Sequence, residues 1–168
     1  MTTATLFIFS GLPGTGKTTL ARLLAAHLQA AYLRIDTIEQ ALRELCQWSV
    51  AGEGYRLAYR VAADNLRLGV DVVADSCNPI ALTRREWQEV ATACQADFRN
   101  IEVRCSCADE HRRRVEARTT DITGLVLPSW NDVLARPFDD WTSERITVDT
   151  AGESAAHSLV RLISELQV

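Results

Sequence analysis

Residues 11–18 read "GLPGTGKT", directly after the apolar run "ATLFIF" at 4–9 and at the mouth of a stretch with helical periodicity over about 17–29. The octet satisfies G-x-x-x-x-G-K-[ST] in full, in the strand-then-helix setting that gives this motif its meaning. No other stretch constrains the fold as much. A strand that passes through a glycine-rich turn into a helix opens a βαβ unit, which commits the chain to a parallel sheet covered by helices.

The motif also has a chemistry. Gly11, Gly14 and Gly16 allow the backbone angles and close approach that let successive N–H groups surround phosphate oxygens. Leu12, Pro13 and Thr15 complete the wrapping segment, and Thr19 continues it into the helix, whose first turn adds positive partial charge. Lys17 is placed to reach the β and γ phosphates, and the Thr18 hydroxyl to be a ligand of Mg²⁺. Of the eighteen basic residues, Lys17 is the one lysine and the rest are arginine. The exception stands where a flexible point charge is needed.

The rest of the chain repeats the alternation. Strands are predicted at 4–9, 31–36, 70–75, 99–104 and 145–148. Helices are predicted at about 17–29, 37–47, 55–68, 80–96, 108–118 and 153–166. A chain of 168 residues suits one α/β domain spanning 1–168. Its 47% apolar and 24% charged composition is that of an ordinary globular protein. No apolar run reaches the length of a membrane span, and the short one at the N-terminus follows no basic leader, so it is read as a buried strand. Cys46, Cys77, Cys94, Cys105 and Cys107 lack paired C-x-x-C spacing, which favours reduced thiols in a cytoplasm over a disulfide framework or a zinc site. Cys105 and Cys107 are expected on the end of a strand, pointing to one face. A net charge of −4 argues against a broad nucleic-acid surface.

Ligands of such sheets bind beyond the carboxyl ends of the strands, and the polar residues there are the candidates. Asp36 closes "YLRID" and is either a general base for an acceptor hydroxyl or an N-cap of the next helix. Asp75 closes "VDVVAD" and can hold Mg²⁺ directly or through water, or cap the Asn78-Pro79 turn. In "DEHRRRVEAR", Arg114 and Arg118 are four apart and share a helical face. They are either solvated charges or groups that stabilise a phosphoryl group in transit.

Taken together, "FSGLPGTGKTTLAR", "YLRID", "VVADSCNPIALTRREWQEVA" and "RRRVEAR" resemble the small P-loop kinases of the AAA_33 type, grouped with the 5′-polynucleotide kinase domain, chloramphenicol phosphotransferase and zeta toxins. The resemblance spans most of residues 5–150. It implies a P-loop NTPase three-layer α/β sandwich, a five-stranded parallel sheet and a helical lid at about 108–141. It also implies ATP and Mg²⁺ as cofactors, Asp36 as base on the acceptor hydroxyl, and Arg114 and Arg118 as lid arginines on the transferring phosphate. The adenine pocket would include "DTAGE" at 149–153, hence Gly152. The stretch from Asp75 to Trp87 resembles the polynucleotide kinase pattern, with Arg84 or Arg85 as its arginine and Trp87 as helix packing. Unlike that branch, "DTIEQAL" carries Glu39 and no nearby cation after Asp36, which lowers the nucleic-acid reading. Residues 119–141, with Trp130, Phe138 and Trp141, are read as a substrate-side wall.

The expectation is a cytoplasmic phosphotransferase moving the γ-phosphoryl of ATP to a hydroxyl of a small molecule. A 5′-hydroxyl polynucleotide kinase and a nucleotide-dependent switch are the alternatives. The acceptor and the oligomeric state are left open.

Overall fold

A computed structural model describes residues 3–168. Its centre is β1 (Thr5–Ser10), in which every residue after Thr5 is buried. Strand side chains alternate between faces, and here the alternation divides two cores. Phe7 and Phe9 pack with Leu20, Leu24, Leu162 and Leu166 on one side. Leu6 and Ile8 pack with Ala58, Ala62 and Trp87 on the other. An apolar run without polar interruption therefore becomes a strand covered on both faces.

Four further strands, β2 (Ala31–Arg34), β3 (Val72–Asp75), β4 (Asp97–Arg104) and β5 (Ile146–Asp149), complete a five-stranded parallel sheet in the order β2-β3-β1-β4-β5. On one face lie α1 (Lys17–Leu28) and α7 (Ala155–Leu166). On the other lie α2 (Ile35–Cys46), α3 (Glu53–Arg67) and α4 (Ala81–Ala93). This is the expected three-layer α/β sandwich. Above the carboxyl ends sit α5 (Ala108–Ala117) and the short α6 (Trp130–Ala135).

The departures from expectation have local causes. Strand β2 stops at Arg34, and the buried Ile35 already begins α2. Asp36 thus lies in the first helical turn, where its charge suits the helix dipole, and Arg34 takes the N-cap position. Strand β4 begins at Asp97, where pairing with Thr5 of β1 extends it. It ends at Arg104, so Cys105 and Cys107 are loop residues, and the Cys105 thiol donates to the Cys107 carbonyl at 3.6 Å. Helix α5 ends at Ala117, and Arg118 is already extended. Helix α6 was not expected, although "SWND" announces it: Ser129 and Asp132 form a capping box.

Trp87 is fully buried and meets the Tyr59 ring edge-on at 4.6 Å. Arg84, not Arg85, is the arginine tied to the Asn-Pro turn. Its Nε donates to the Asn78 carbonyl at 2.9 Å, and Nη2 donates to the carbonyls of Asp139 at 2.9 Å and Pro79 at 3.2 Å. Phe138 and Trp141 cover its two sides, with ring centroids 4.7 and 4.2 Å from the guanidinium carbon. A planar fork binds several carbonyls at fixed angles, which a lysine cannot do. Arg84→Lys should therefore lower stability by about 2 kcal/mol, measured by urea unfolding, although the charge is retained.

Candidate functional site

The octet forms a loop between β1 and α1. Gly16 is the N-cap of α1 with φ +91°, a left-handed conformation that disfavours any Cβ. Gly14 is needed for a different reason: at φ +84°, a Cβ there would stand 2.4 Å from Cγ2 of Val115 on α5. Residues 12–14 and 16–19 line a cleft of about 960 Å³. Gly11 and Thr15 do not line it. Thr15 is buried, and its hydroxyl donates to the Leu12 carbonyl at 3.0 Å, which closes the loop on itself.

Lys17 is buried and forms an ion pair with Asp75 at 2.9 Å. The second Asp75 oxygen accepts from the Tyr32 hydroxyl at 2.7 Å. Burial alone disfavours the ammonium, yet the Asp75 carboxylate, helped by Cys77 and the Asp36 charge, holds Lys17 above the usual lysine range. Burial likewise opposes the Asp75 charge. Lys17, with the hydroxyls of Tyr32 and Thr18, outweighs it and keeps that carboxyl below its ordinary value. The Tyr32 phenol is pushed up by burial and by the adjacent Asp75.

Thr18 lines the cleft, and Asp75, buried behind Lys17 and not itself lining it, sets a carboxylate beside the Thr18 hydroxyl; both are the hard oxygen ligands that Mg²⁺ takes from proteins. Among the described residues, no group of three or more His, Cys, Asp or Glu could hold a metal on protein ligands alone. A hydroxyl and one carboxylate, completed by phosphate and water, fit Mg²⁺ in a nucleotide complex.

Asp36 is exposed and lines the same cleft, and it makes no ion pair among the described residues. A cation is supplied two turns after Asp36: Arg43 lines the cleft and pairs with Glu39 at 3.2 Å. Arg118 also lines it, half-buried, with its Nε enclosed and unpartnered. Arg114 is anchored at the other end of the cleft. It donates to the Thr150 hydroxyl at 2.7 Å and carbonyl at 2.8 Å, and it pairs with Glu110 at 2.5 Å. Glu110 also accepts the Gly152 N–H at 2.9 Å. Gly152 itself does not line the cleft, whereas Thr150 and Glu153 do.

The expected aromatic wall is not there. Phe138 and Trp141 hold Arg84, and Trp130 stacks edge-on against His111 at 5.1 Å. Instead, residues 117–121 and 124–128 line that side. Asp121 ties the segment down through ion pairs to Arg22 and Arg34, and Gly124 lies against Gln40 and Glu44. Thr150 falls in the 149–153 stretch assigned to the adenine pocket, but its hydroxyl donates to the Thr15 carbonyl at 2.7 Å and so braces the phosphate loop. Sequence reasoning passed over His111, whose Nε2–H donates to the Pro13 carbonyl at 2.8 Å. His111 and Val115 are four apart and are the buried residues of α5. That helical spacing was visible inside the charge run.

The sheet order, the phosphate loop and the Lys17–Asp75 pair define a P-loop protein with the fold of small kinases. The sequence profile of the AAA domain family AAA_33 matches residues 6–137, and the chain belongs to that family. No curated protein matches the chain significantly. The fold is shared with the APS kinase CysC of Mycobacterium tuberculosis in complex with AMPPNP and APS, at 20% identity and TM-score 0.68 over 100% of both chains. Kti12 of Chaetomium thermophilum in complex with ADP-AlF3 is similar at 20% identity and TM-score 0.70, covering 96% of this chain and 97% of that one. A gluconokinase of Sinorhizobium meliloti is similar at 15% identity and TM-score 0.63, covering 99% and 98%. No helix of the described residues is long and apolar enough to cross a membrane.

Removing one partner of a buried ion pair strands the other charge. Asp75→Asn should cost about 3 kcal/mol of stability by chemical denaturation, with the Lys17→Met/Asp75→Asn double variant closer to wild type. Because the Asp75 carboxyl titrates below its ordinary value, the pair's contribution should be present above the unfolded carboxylate range. It should be lost as pH falls through the lower folded value.

Proposed function

We propose that the protein is an ATP-dependent phosphotransferase that moves the γ-phosphoryl group to a hydroxyl of a small molecule. The observation that carries this reading is the position of Asp36. It is an unpaired carboxylate on the wall of the cleft that holds the phosphate loop, close enough to Lys17 for its charge to act on the ammonium. A switch needs no such group; an alcohol acceptor needs a base that takes its proton and aligns it.

In this reading the acceptor oxygen attacks the γ-phosphorus, the bond from that phosphorus to the bridging oxygen breaks, and ADP leaves. The hydroxyl proton passes to Asp36. Lys17 exchanges part of its contact with Asp75 for the β and γ phosphate oxygens. Arg118, half-buried with a free Nε, offers charge to the phosphoryl group in transit, and Arg114 keeps its charge at the Thr150 end. Thr18 and Asp75 would hold Mg²⁺, which neutralises charge on the phosphates when bound. Backbone N–H groups of residues 11–19 would cradle the phosphates, and the loop with Thr150 and Gly152 would flank the base. Residues 108–141 would form the lid. Most of the rate comes from positioning and fixed charge, as is usual for phosphoryl transfer. The five free cysteines suit a reducing cytoplasm.

Asp36→Asn should lower transfer by about 10²- to 10⁴-fold while leaving ATP affinity near wild type, and Lys17→Ala should lower both. The measurements are an ATP-dependent screen of hydroxylated compounds for mass gain of one phosphate and calorimetric titration with a non-hydrolysable ATP analogue. Transfer by Asp36→Asn at the wild-type rate would remove the base.

A further inference from the structure

Most cations that line the cleft are matched to a carboxylate, and the unmatched ones are localised. Arg22 and Arg34 share Asp121, Arg43 pairs with Glu39, and Arg114 pairs with Glu110. Among the described residues, Arg118 and Arg136 line the cleft without an ion pair to any carboxylate.

The sheet order says which end of the cleft this is. Arg34, the last residue of β2, is level with Asp75, the last of β3. Asp36 and Cys77, each two residues further on, therefore flank one corner, at the edge of the sheet away from β5. Thr150 and its partner Arg114 lie at the opposite edge, beyond β5. Arg136 belongs to the first corner, because its Nη1 donates to the Cys77 thiol at 3.6 Å. Burial holds the Arg118 guanidinium below its usual range, with Asp36 and Cys77 close enough to oppose this and the like charge of Arg136 adding to it. Two guanidiniums thus face one space beside the proposed base, and the only polar contact of Arg136 there is a neutral thiol. Like charges that line one cleft favour an anion between them, and guanidinium forks suit phosphate, sulfate and carboxylate oxygens.

We propose that the acceptor is an anionic alcohol: a hydroxylated small molecule whose phosphate, sulfate or carboxylate group is held by Arg136 beside Arg118, with its hydroxyl toward Asp36. This rests on the phosphotransferase reading. It assigns Arg136, which has no part in the chemistry itself, as the residue that selects the acceptor. The exposed Asp36 charge fits the same picture: an anion is repelled from that side of the corner and drawn to the arginine side, which orients the molecule.

The test fills the nucleotide site first. With AMPPNP and Mg²⁺ saturating, inorganic sulfate is titrated calorimetrically into wild type, Arg136→Ala, Arg136→Lys and the remote surface variant Arg67→Ala. Sulfate should bind wild type and Arg67→Ala equally. It should bind Arg136→Ala about tenfold or more weakly, with Arg136→Lys between the two. No saturable sulfate binding to the loaded protein, or equal binding by Arg136→Ala, would overturn the assignment. Transfer is then compared for matched pairs, glycerol with glycerol 3-phosphate, a nucleoside with its 3′-monophosphate, and an aldose with its sugar acid, alongside a 5′-hydroxyl oligonucleotide. The charged member should be favoured, and Arg136→Ala should erase the preference through KM with kcat nearly unchanged. Equal use of the neutral members, or preference for the oligonucleotide over every small compound, would reject the proposal. ATP bound but no phosphoryl group moved to any compound would refute the phosphotransferase reading, whereas the sulfate titration decides the anion site by itself.

Discussion

The buried contact between Lys17 and Asp75 organises the molecule. It joins the helix that follows β1 to the end of β3, and the Tyr32 hydroxyl on the other Asp75 oxygen brings in β2. One carboxylate at the end of β3 thereby ties together the helix after β1 and a side chain of β2. A charge removed from water is tolerated when its partners are well placed and each of its oxygens is hydrogen-bonded, as both Asp75 oxygens are. The same contact keeps the ammonium extended at the floor of the cleft instead of loose in solvent. A phosphate that arrives there meets a charge already held in place, for which it competes with Asp75.

Around that floor, arginines that look alike in the sequence do different work. Arg84 is a structural fork that fastens residues 138–141 to the turn after β3. Arg22 and Arg34 hold Asp121 and so pin the segment that walls the cleft. Arg114 is clasped between Glu110 and Thr150, and Arg118 is left half-free near Asp36. Geometry, not residue type, divides these duties. A guanidinium tied to a carboxylate or to several carbonyls of another segment acts as a strut, whereas Arg118 lines the cavity with no carboxylate partner among the described residues.

Much of the architecture was legible because strand burial writes itself as uninterrupted apolar runs, and because the phosphate loop announces a parallel α/β sheet. The order of elements and the five strands follow from that. Boundaries were less legible where tertiary contact decides them. Ile35 starts α2 early because the core buries it, and β4 reaches back to Asp97 because β1 offers it a partner. Lys17, Thr18 and Asp36 line the cleft, with Asp75 buried behind Lys17, because residues after strand ends fall at one rim of the sheet. The aromatic wall was misplaced because Trp130 opens the short α6 and Phe138 and Trp141 lie in the loop after it, where spacing along the chain says nothing about which ring meets which partner. Arg136 carried no signal at all: it follows a six-residue helix and gains meaning only when Cys77 is brought beside it.

The way α5 leans on the phosphate loop has a thermodynamic corollary. The Pro13 carbonyl is committed to His111, and Val115 lies where a Gly14 side chain would be. Any rearrangement of the loop must either carry this helix along or break that contact. Occupancy of the loop and docking of the helix are therefore linked variables, and what favours one conformer of either favours the matching conformer of the other by the same free energy.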